Sequence, residues 1–479
     1  MGFTLWTLIF LIWPLFVHCD PGGTEICTAG DDPIFQHYPV CITREKSKAS
    51  HEGDYHHIEV SHDWTHASPC FKGYGAEAPI CAFTDETFAG GRGISIITTP
   101  KRASYLASTQ AFTTPDLVQG INLASDQPTT SKYEMRLVPG KGMGLIATSR
   151  IRRGDLIMAN TASLMIDYRA FNELSVSEYT TLQEFAVTHL PSRHAAALLA
   201  LSPHTTNTSH FTRAQLIDAI AATNGFDIDP TENDPDQHHS FFVLFPDIAR
   251  MNHDCRPNAD YRYEPHRLAQ HVRAVRDINP GEEITLTYID PLGLRAARTG
   301  RLKNTWGFEC ACPLCSLGST TTGSGPEDAV GKARSAASDQ RIERIIELRQ
   351  KLQRVWKRDG DYDDDDDDLE DDNGTGGGSD PSKTTSPAMA ELLVTLYETE
   401  RLWGGLHEAY ILAALEYSGA GDAWTAIKYA SLGLEWGIPM LGAADEDVVD
   451  LKKLAENPWG HWSWRRRVGK AGDGEGRKK

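Results

Sequence analysis

The chain has 479 residues, 40% of them hydrophobic and 24% charged, and a formal net charge of −19. Two or three domains of ordinary globular balance are the starting expectation. Asp361, Asp363 to Asp368, Glu370, Asp371 and Asp372 carry ten of the negative charges, and removing those ten from −19 leaves −9 for the rest. No basic domain exists, so direct nucleic-acid binding has no electrostatic support.

Residues 1 to 17 are almost wholly apolar, and the first charged side chain is Asp20. The stretch is too short for a comfortable membrane span and reads as a secretory signal over 1–19, with Val17 and Cys19 suiting cleavage before Asp20. No Lys or Arg opens it, so an uncleaved anchor or a mis-called start codon stays open. Export implies the secretory pathway or secretion, with no membrane span left after cleavage. Without a working signal the location is cytoplasm or nucleus. Of the nine cysteines, Cys27, Cys41, Cys70 and Cys81 form an even set near this N-terminus and predict two disulfides, with three pairings possible. In an exported chain, the sequons at Asn207 and Asn373 become glycosylation candidates.

Residues 21 to 82 are rich in His, Asp, Pro and Cys and read as a loop-rich, disulfide-tied segment. A β-like run follows at 91–99, and the polar stretch 115–132 reads as a linker. From Tyr133 the texture is one of short strands: 133–138, 144–148, 156–159, 164–166, 260–263, 271–275 and 283–288, with an apolar run at 241–245. Helical patterns at 173–202 and 212–223 interrupt them. From about Ala329 the chain turns helical, with an apolar stripe of Ile342, Ile345, Ile346, Leu348, Leu352 and Val355. The acidic, glycine-rich insert 359–386 cannot bury a core. Helical patterns resume at 388–403, 406–417 and 423–436, where 409–433 reads either as one tetratricopeptide-like hairpin or as a plain bundle.

Three motifs carry the chemistry. Lys141-Gly142-Met143-Gly144-Leu145 is a turn whose backbone can approach a ligand closely, although glycine turns between strands are common. Met251-Asn252-His253-Asp254-Cys255-Arg256-Pro257-Asn258 follows an apolar run. Asn279-Pro280-Gly281-Glu282-Glu283 leads into a strand ending at Tyr288-Ile289-Asp290, and Trp306-Gly307-Phe308-Glu309 precedes Cys310-Ala311-Cys312-Pro313-Leu314-Cys315.

In this order the motifs resemble a SET-domain protein-lysine methyltransferase with a post-SET cysteine motif, over roughly residues 133 to 316. The chain is most similar to the SET-and-MYND type and to a fungal-type group with an exported N-terminus. It departs from the former in having no cysteine between Cys81 and Cys255, which leaves no room for a MYND finger. The resemblance implies an α+β fold: a mostly-β SET domain at 131–290 with a helical insert, a post-SET zinc motif at 291–316, a cysteine-containing N-terminal region at 20–130, and a helical region at 329–458. It implies transfer of a methyl group from S-adenosylmethionine to a lysine of a protein substrate. Tyr288 would be the catalytic tyrosine. Asn252, His253 and Asn224 would hold the cofactor, with Lys141, Met143 and Gly144 meeting it largely through backbone. Phe308 would stack on its adenine, and Trp306 would line the lysine channel.

A structural zinc needs four ligands in a closed tetrahedron. Cys310, Cys312 and Cys315 offer three thiolates. Cys255 is the only other cysteine outside the N-terminal set, and the family's cysteine at this place closes the same site. His253 as a ligand instead remains open. Two further readings stand beside the enzyme: a catalytically inert SET scaffold that binds partners, and a secreted disulfide-rich binding protein.

Overall fold

The computed structural model describes residues 62–122 apart from 74, then 131–203, 208–228, 234, 239–317, 326–356 and 385–468. It also gives the backbone of two strands, β1 (Ile26–Ala29) and β2 (Pro39–Ile42), paired with Cys27 opposite Cys41. The signal reading, both sequons' asparagines and most of the acidic insert lie outside these residues.

In chain order the remaining strands are β3 (His66–Phe71), β4 (Ile80–Asp85), β5 (Ile94–Thr98), β6 (Tyr133–Val138), β7 (Gly142–Ala147), β8 (Leu156–Thr161), β9 (Leu164–Asp167), β10 (Gly225–Ile228), β11 (Phe241–Leu244), β12 (Asn252–His253), β13 (Ala259–Glu264), β14 (Ala269–Ala274) and β15 (Glu283–Leu286). They form a six-stranded sheet ordered β10-β11-β9-β5-β4-β3, a four-stranded sheet β12-β15-β7-β6, and a three-stranded sheet β13-β14-β8. Pairing is antiparallel except for β5 with β9 and β12 with β15. Together with the helices this is an α+β architecture.

The expected loop-rich segment before residue 82 differs from what is found. β3 and β4 make a hairpin closed by the Cys70–Cys81 disulfide, and β4 and β5 lie in the same sheet as β9 and β11. β4 is buried along its whole length, so it lacks the in–out alternation that marks a half-exposed strand. Its polar Thr84 bonds Ser95 of β5 at 2.8 Å. The expected linker at 115–132 also differs at its start. Pro115–Val118 is one helical turn, and buried Asn122 donates to Thr161 Oγ1 at 3.1 Å and accepts from Asn160 Nδ2 at 3.1 Å.

Helices Val176–Thr188 and Arg213–Asn224 each begin at a capping box, Ser175 with Glu178 and Thr212 with Gln215. With Ser192–Leu199 they cover one face of the six-stranded sheet around Leu182, Leu198, Ile217, Ile220 and Phe242. A second core of Met158, Val243, Phe245, Val272 and Ile284 joins the sheets on the other side. No helix among the described residues is long and apolar enough to cross a membrane.

The C-terminal region is a run of helices, Pro326–Trp356, Pro387–Glu400, Leu406–Ala420, Ala423–Leu441 and Glu446–Glu456, sharing their own core. Its middle pair is a tight hairpin turned at Gly421. It docks on the β domain: Arg153 lies 4.3 Å over the Trp436 ring, and Arg262 donates to the Leu441 carbonyl at 2.9 Å. Asp260 faces Gly404, where a Cβ would come within 2.3 Å of its Oδ2.

Burial pushes the Asp260 carboxyl up to about 6, above the ~3.9 of an unfolded chain. The folded protein therefore binds the extra proton between those values, and this group's contribution to stability falls as pH rises through that window. Asp260→Asn keeps an acceptor for the Tyr261 N–H, now 2.8 Å from Oδ1. It should stabilise the fold by on the order of 1 kcal/mol at pH 7.5, with the gain gone below about pH 4, as denaturation curves at the two pH values would show.

Candidate active site and metal centre

β12 lies parallel to β15, pairing Asn252 with Thr285 and His253 with Leu286. Buried Asn258 clamps the far end of this loop to β15, accepting from the Thr285 N–H at 2.9 Å and donating to the Glu283 carbonyl at 2.8 Å. The Asn252–Asn258 motif and the strand leading to Tyr288 are thereby held as one unit.

On one side of it, Asn252 Nδ2 donates to Glu283 Oε1 at 2.9 Å and to the Met143 carbonyl at 3.3 Å, and Lys141 Nζ pairs with Glu283 Oε2 at 2.7 Å. A Cβ on Gly144 would sit 2.7 Å from Asn252 Nδ2 and 3.0 Å from Glu283 Oε1, so a side chain there would have to push these two groups aside. Lys141, Met143, Gly144 and Asn252 are thus brought together. Glu283, placed from sequence at the start of a strand and given no role in the site, joins them. A carboxylate opening a buried strand was the available signal.

His253 is 4% exposed, and burial pushes its imidazole down to about 3, so it is neutral. Its Nδ1 accepts the Tyr288 N–H at 3.0 Å. The ring proton therefore sits on Nε2, which donates to Cys255 Sγ at 3.3 Å. Both ring nitrogens are engaged, and Phe308 lies 6.2 Å from the imidazole between ring centres.

Tyr288 lines a cavity of about 60 Å³ with Trp306, Phe226, Tyr261, Asn224 and Asp227. The Tyr288 hydroxyl donates to the Met251 carbonyl at 2.7 Å, which leaves its oxygen lone pairs as acceptors. Burial raises the phenol well above its ordinary value, so it stays protonated. The Trp306 ring centre is 5.4 Å from that of Tyr288, and its indole N–H donates to the Thr223 carbonyl at 3.1 Å. Gly307, with φ at +69°, ends the helix Arg295–Trp306 and turns the chain toward Phe308 and the cysteines. Asn224 lines this cavity too. Its amide donates to the Ser202 and Ile220 carbonyls, both at 2.8 Å. Phe226, Asp227 and Tyr261, given no role from sequence, complete the wall, brought there by β10 and β13.

The sulfurs of Cys255, Cys310, Cys312 and Cys315 all lie within 4.8 Å of one another, with Cys255 3.5 Å from Cys315 and 4.0 Å from Cys310. Zinc–sulfur bonds of about 2.3 Å in a tetrahedron place sulfurs roughly 3.8 Å apart. These separations match that spacing and are far above the ~2.05 Å of a disulfide. The donor set fits a zinc ion. Hydrogen bonds among the four thiols raise Cys255 and lower Cys312, so the cluster already favours thiolate at Cys312. Ile289, Leu302 and Leu314 bury it, and Tyr288, Trp306 and Phe308 pack against it.

Residues 142–289 match the family model of the SET domain. The histone-lysine N-methyltransferase set5 of Schizosaccharomyces pombe is 30% identical over 188 residues, covering 39% of this chain and 51% of that protein. The N-lysine methyltransferase SMYD2-A of Danio rerio is 35% identical over 144 residues, covering 30% of this chain and 28% of its own length. Human SMYD2 is 42% identical over 92 residues, covering 19% and 20%. The chain thus spans about half the length of the first of these relatives and less of the others. It carries a SET domain homologous to histone and SMYD-type lysine methyltransferases.

Proposed function

We propose that this protein is a protein-lysine N-methyltransferase that takes its methyl group from S-adenosylmethionine. The observation that carries the reading is the placement of Tyr288, which lines an aromatic cavity two residues after β15, the strand that opens with Glu283, and whose hydroxyl is protonated and bonded to the Met251 carbonyl. When bound, S-adenosylmethionine supplies an activated methyl group on a sulfonium. Lys141 and Glu283 carry the opposite charges that complement an amino-acid head, and Asn252 adds an amide between them. Trp306, Phe226 and Tyr261 offer apolar walls to a lysine stem and exclude water from its amine. Desolvation lowers a lysine pKa from about 10.4, which favours the neutral nucleophile. The Tyr288 oxygen can accept an amine N–H and orient the remaining lone pair; such alignment can lower a barrier by up to ~7–11 kcal/mol.

A structural zinc on Cys255, Cys310, Cys312 and Cys315 belongs to the same proposal, supported by the sulfur spacing. Export through the 1–19 signal belongs to it as well, supported by the Cys70–Cys81 disulfide, since such bonds persist in oxidising compartments.

Calorimetric titration of the zinc-loaded chain with S-adenosylmethionine, followed by transfer of labelled methyl to lysine-containing proteins, tests the reading. Saturable binding and lysine-specific label are expected. Asn252→Ala should raise the cofactor KM by roughly tenfold, as losing a hydrogen bond to a charged group does, and leave the rate at saturation nearly unchanged. A folded, zinc-loaded chain that binds no cofactor would overturn the reading.

A further inference from the structure

One buried carboxylate of the helical region reaches the loop that carries both Asn252 and Cys255. Glu400 closes the helix Pro387–Glu400 and is 4% exposed. Its Oε2 accepts from Arg256 Nη2 at 2.9 Å and from Ser338 Oγ at 2.7 Å, and its Oε1 accepts from Arg341 Nε at 2.7 Å. Burial by itself would raise this carboxyl, but the hydrogen bonds from Ser338, Arg256 and Arg341 outweigh it and hold it below the usual range.

Arg256 is equally hidden, at 6% exposed. Its Nη1 donates to the Cys255 carbonyl at 2.8 Å and to the Pro291 carbonyl at 2.9 Å, and its backbone N–H donates to Asp254 Oδ1 at 2.8 Å. One guanidinium therefore ties the Asn252–Asn258 loop to the segment just after Tyr288. A guanidinium this deep needs a counter-charge, because a lone buried ion is strongly unfavourable. Glu400 supplies it from another layer of the fold. Arg341 shares the same carboxylate but belongs wholly to the helical region, with its side chain 34% exposed.

We propose that Glu400 is a positioning residue: through Arg256 it sets the Asn252–Cys255 loop against Tyr288, which makes the helical region part of the catalytic and metal apparatus. The cofactor half of this inference rests on the methyltransferase reading; the metal half does not.

The test compares full-length, zinc-loaded wild type with Glu400→Gln, Arg256→Gln and Arg341→Gln, and with the double variant Arg256→Gln/Glu400→Gln. It measures the S-adenosylmethionine dissociation constant by calorimetry, zinc release to a colorimetric chelator, and thermal melting. Glu400→Gln and Arg256→Gln should each weaken cofactor binding and speed zinc release by about tenfold, the scale on which groups behind metal ligands act. In both readouts the double variant should be no worse than Arg256→Gln alone, since that substitution already breaks the contact through which Glu400 reaches the loop. Arg341→Gln removes a shorter bond to Glu400 but leaves the Glu400–Arg256 pair in place, so both readouts should stay within about twofold of wild type. Arg256→Lys keeps the charge but lacks the fork whose Nη1 holds the Cys255 and Pro291 carbonyls while its Nη2 holds Glu400, so it should reproduce both defects even if the Gln variants fold poorly. The inference falls if Glu400→Gln matches Arg341→Gln in both readouts, or if only the melting temperature moves. If wild type itself binds no cofactor, the methyltransferase reading fails on its own and zinc release alone decides the role of Glu400.

Discussion

Replacing Tyr288 by Phe should lower methyl transfer by about 10²–10³-fold, the range seen when one preorganised polar group is removed from where charge moves in a transition state. The ring would keep its packing against Trp306, 5.4 Å away, and against His253, also 5.4 Å away. The hydroxyl's loss leaves the buried Met251 carbonyl without its 2.7 Å donor, which should cost about 1–3 kcal/mol of stability. The fold should therefore survive. Cofactor affinity should hold within about twofold, because the hydroxyl bonds the Met251 carbonyl and not the Asn252–Glu283 cluster. That split distinguishes the variant from Asn252→Ala, in which the cofactor KM moves first. Single-turnover rates at saturating cofactor, read beside calorimetric affinities, check it. A Tyr288→Phe enzyme with the wild-type single-turnover rate would remove the phenol from the chemistry.

What could be read before any coordinates was whatever is local or counted. The β6–β7 turn carries its glycines in sequence, and the helical patterns at 173–202 and 212–223 fall on helices of the structure. Four cysteines far from the N-terminal set could be named as a cluster because cysteine is rare and its chemistry is narrow. The residues that were missed depend on distant partners. Glu283 looks like any acidic residue after a Pro-Gly turn until Lys141 and Asn252 are brought to it across 142 and 31 residues of chain. Glu400 ends a helix, where a solvent-facing role is the ordinary expectation, and it is the approach of Arg256, Ser338 and Arg341 from distant parts of the chain that gives it buried partners. β4 and Asn122 were hidden for a related reason. Their polar atoms are satisfied across strands, so residues that read as loop or linker by composition lie inside the fold.

Loss of the metal should have the broader effect of the two, because the cysteine cluster and the candidate active site share a wall. Cys255 Sγ takes the Nε2 proton of His253, and the other nitrogen of that ring holds the Tyr288 N–H. Cys255→Ser replaces a soft, strongly bound ligand by a weak one, so zinc content should fall well below one per chain. Structural zinc contributes about 10–16 kcal/mol of binding free energy in small fingers. Here Ile289, Leu302 and Leu314 also pack the cluster, so the remaining core retains part of that stability, and a loss of several kcal/mol is expected. Three sulfurs would still surround the position. They would face one another without a cation, and His253 Nε2 would lose its sulfur acceptor. Tyr288 then loses its backbone anchor together with the metal. Activity should fall at least as far as in Tyr288→Phe, and cofactor affinity should drop with it through Asn252, one residue from His253. Metal analysis, melting curves and cofactor titration on the same preparation follow all three quantities. Prolonged chelation of wild type should reproduce the set, and restoring zinc should reverse it. A metal-free wild type with unchanged melting temperature and unchanged cofactor affinity would show that the four sulfurs do not need an ion, and the zinc proposal would end there.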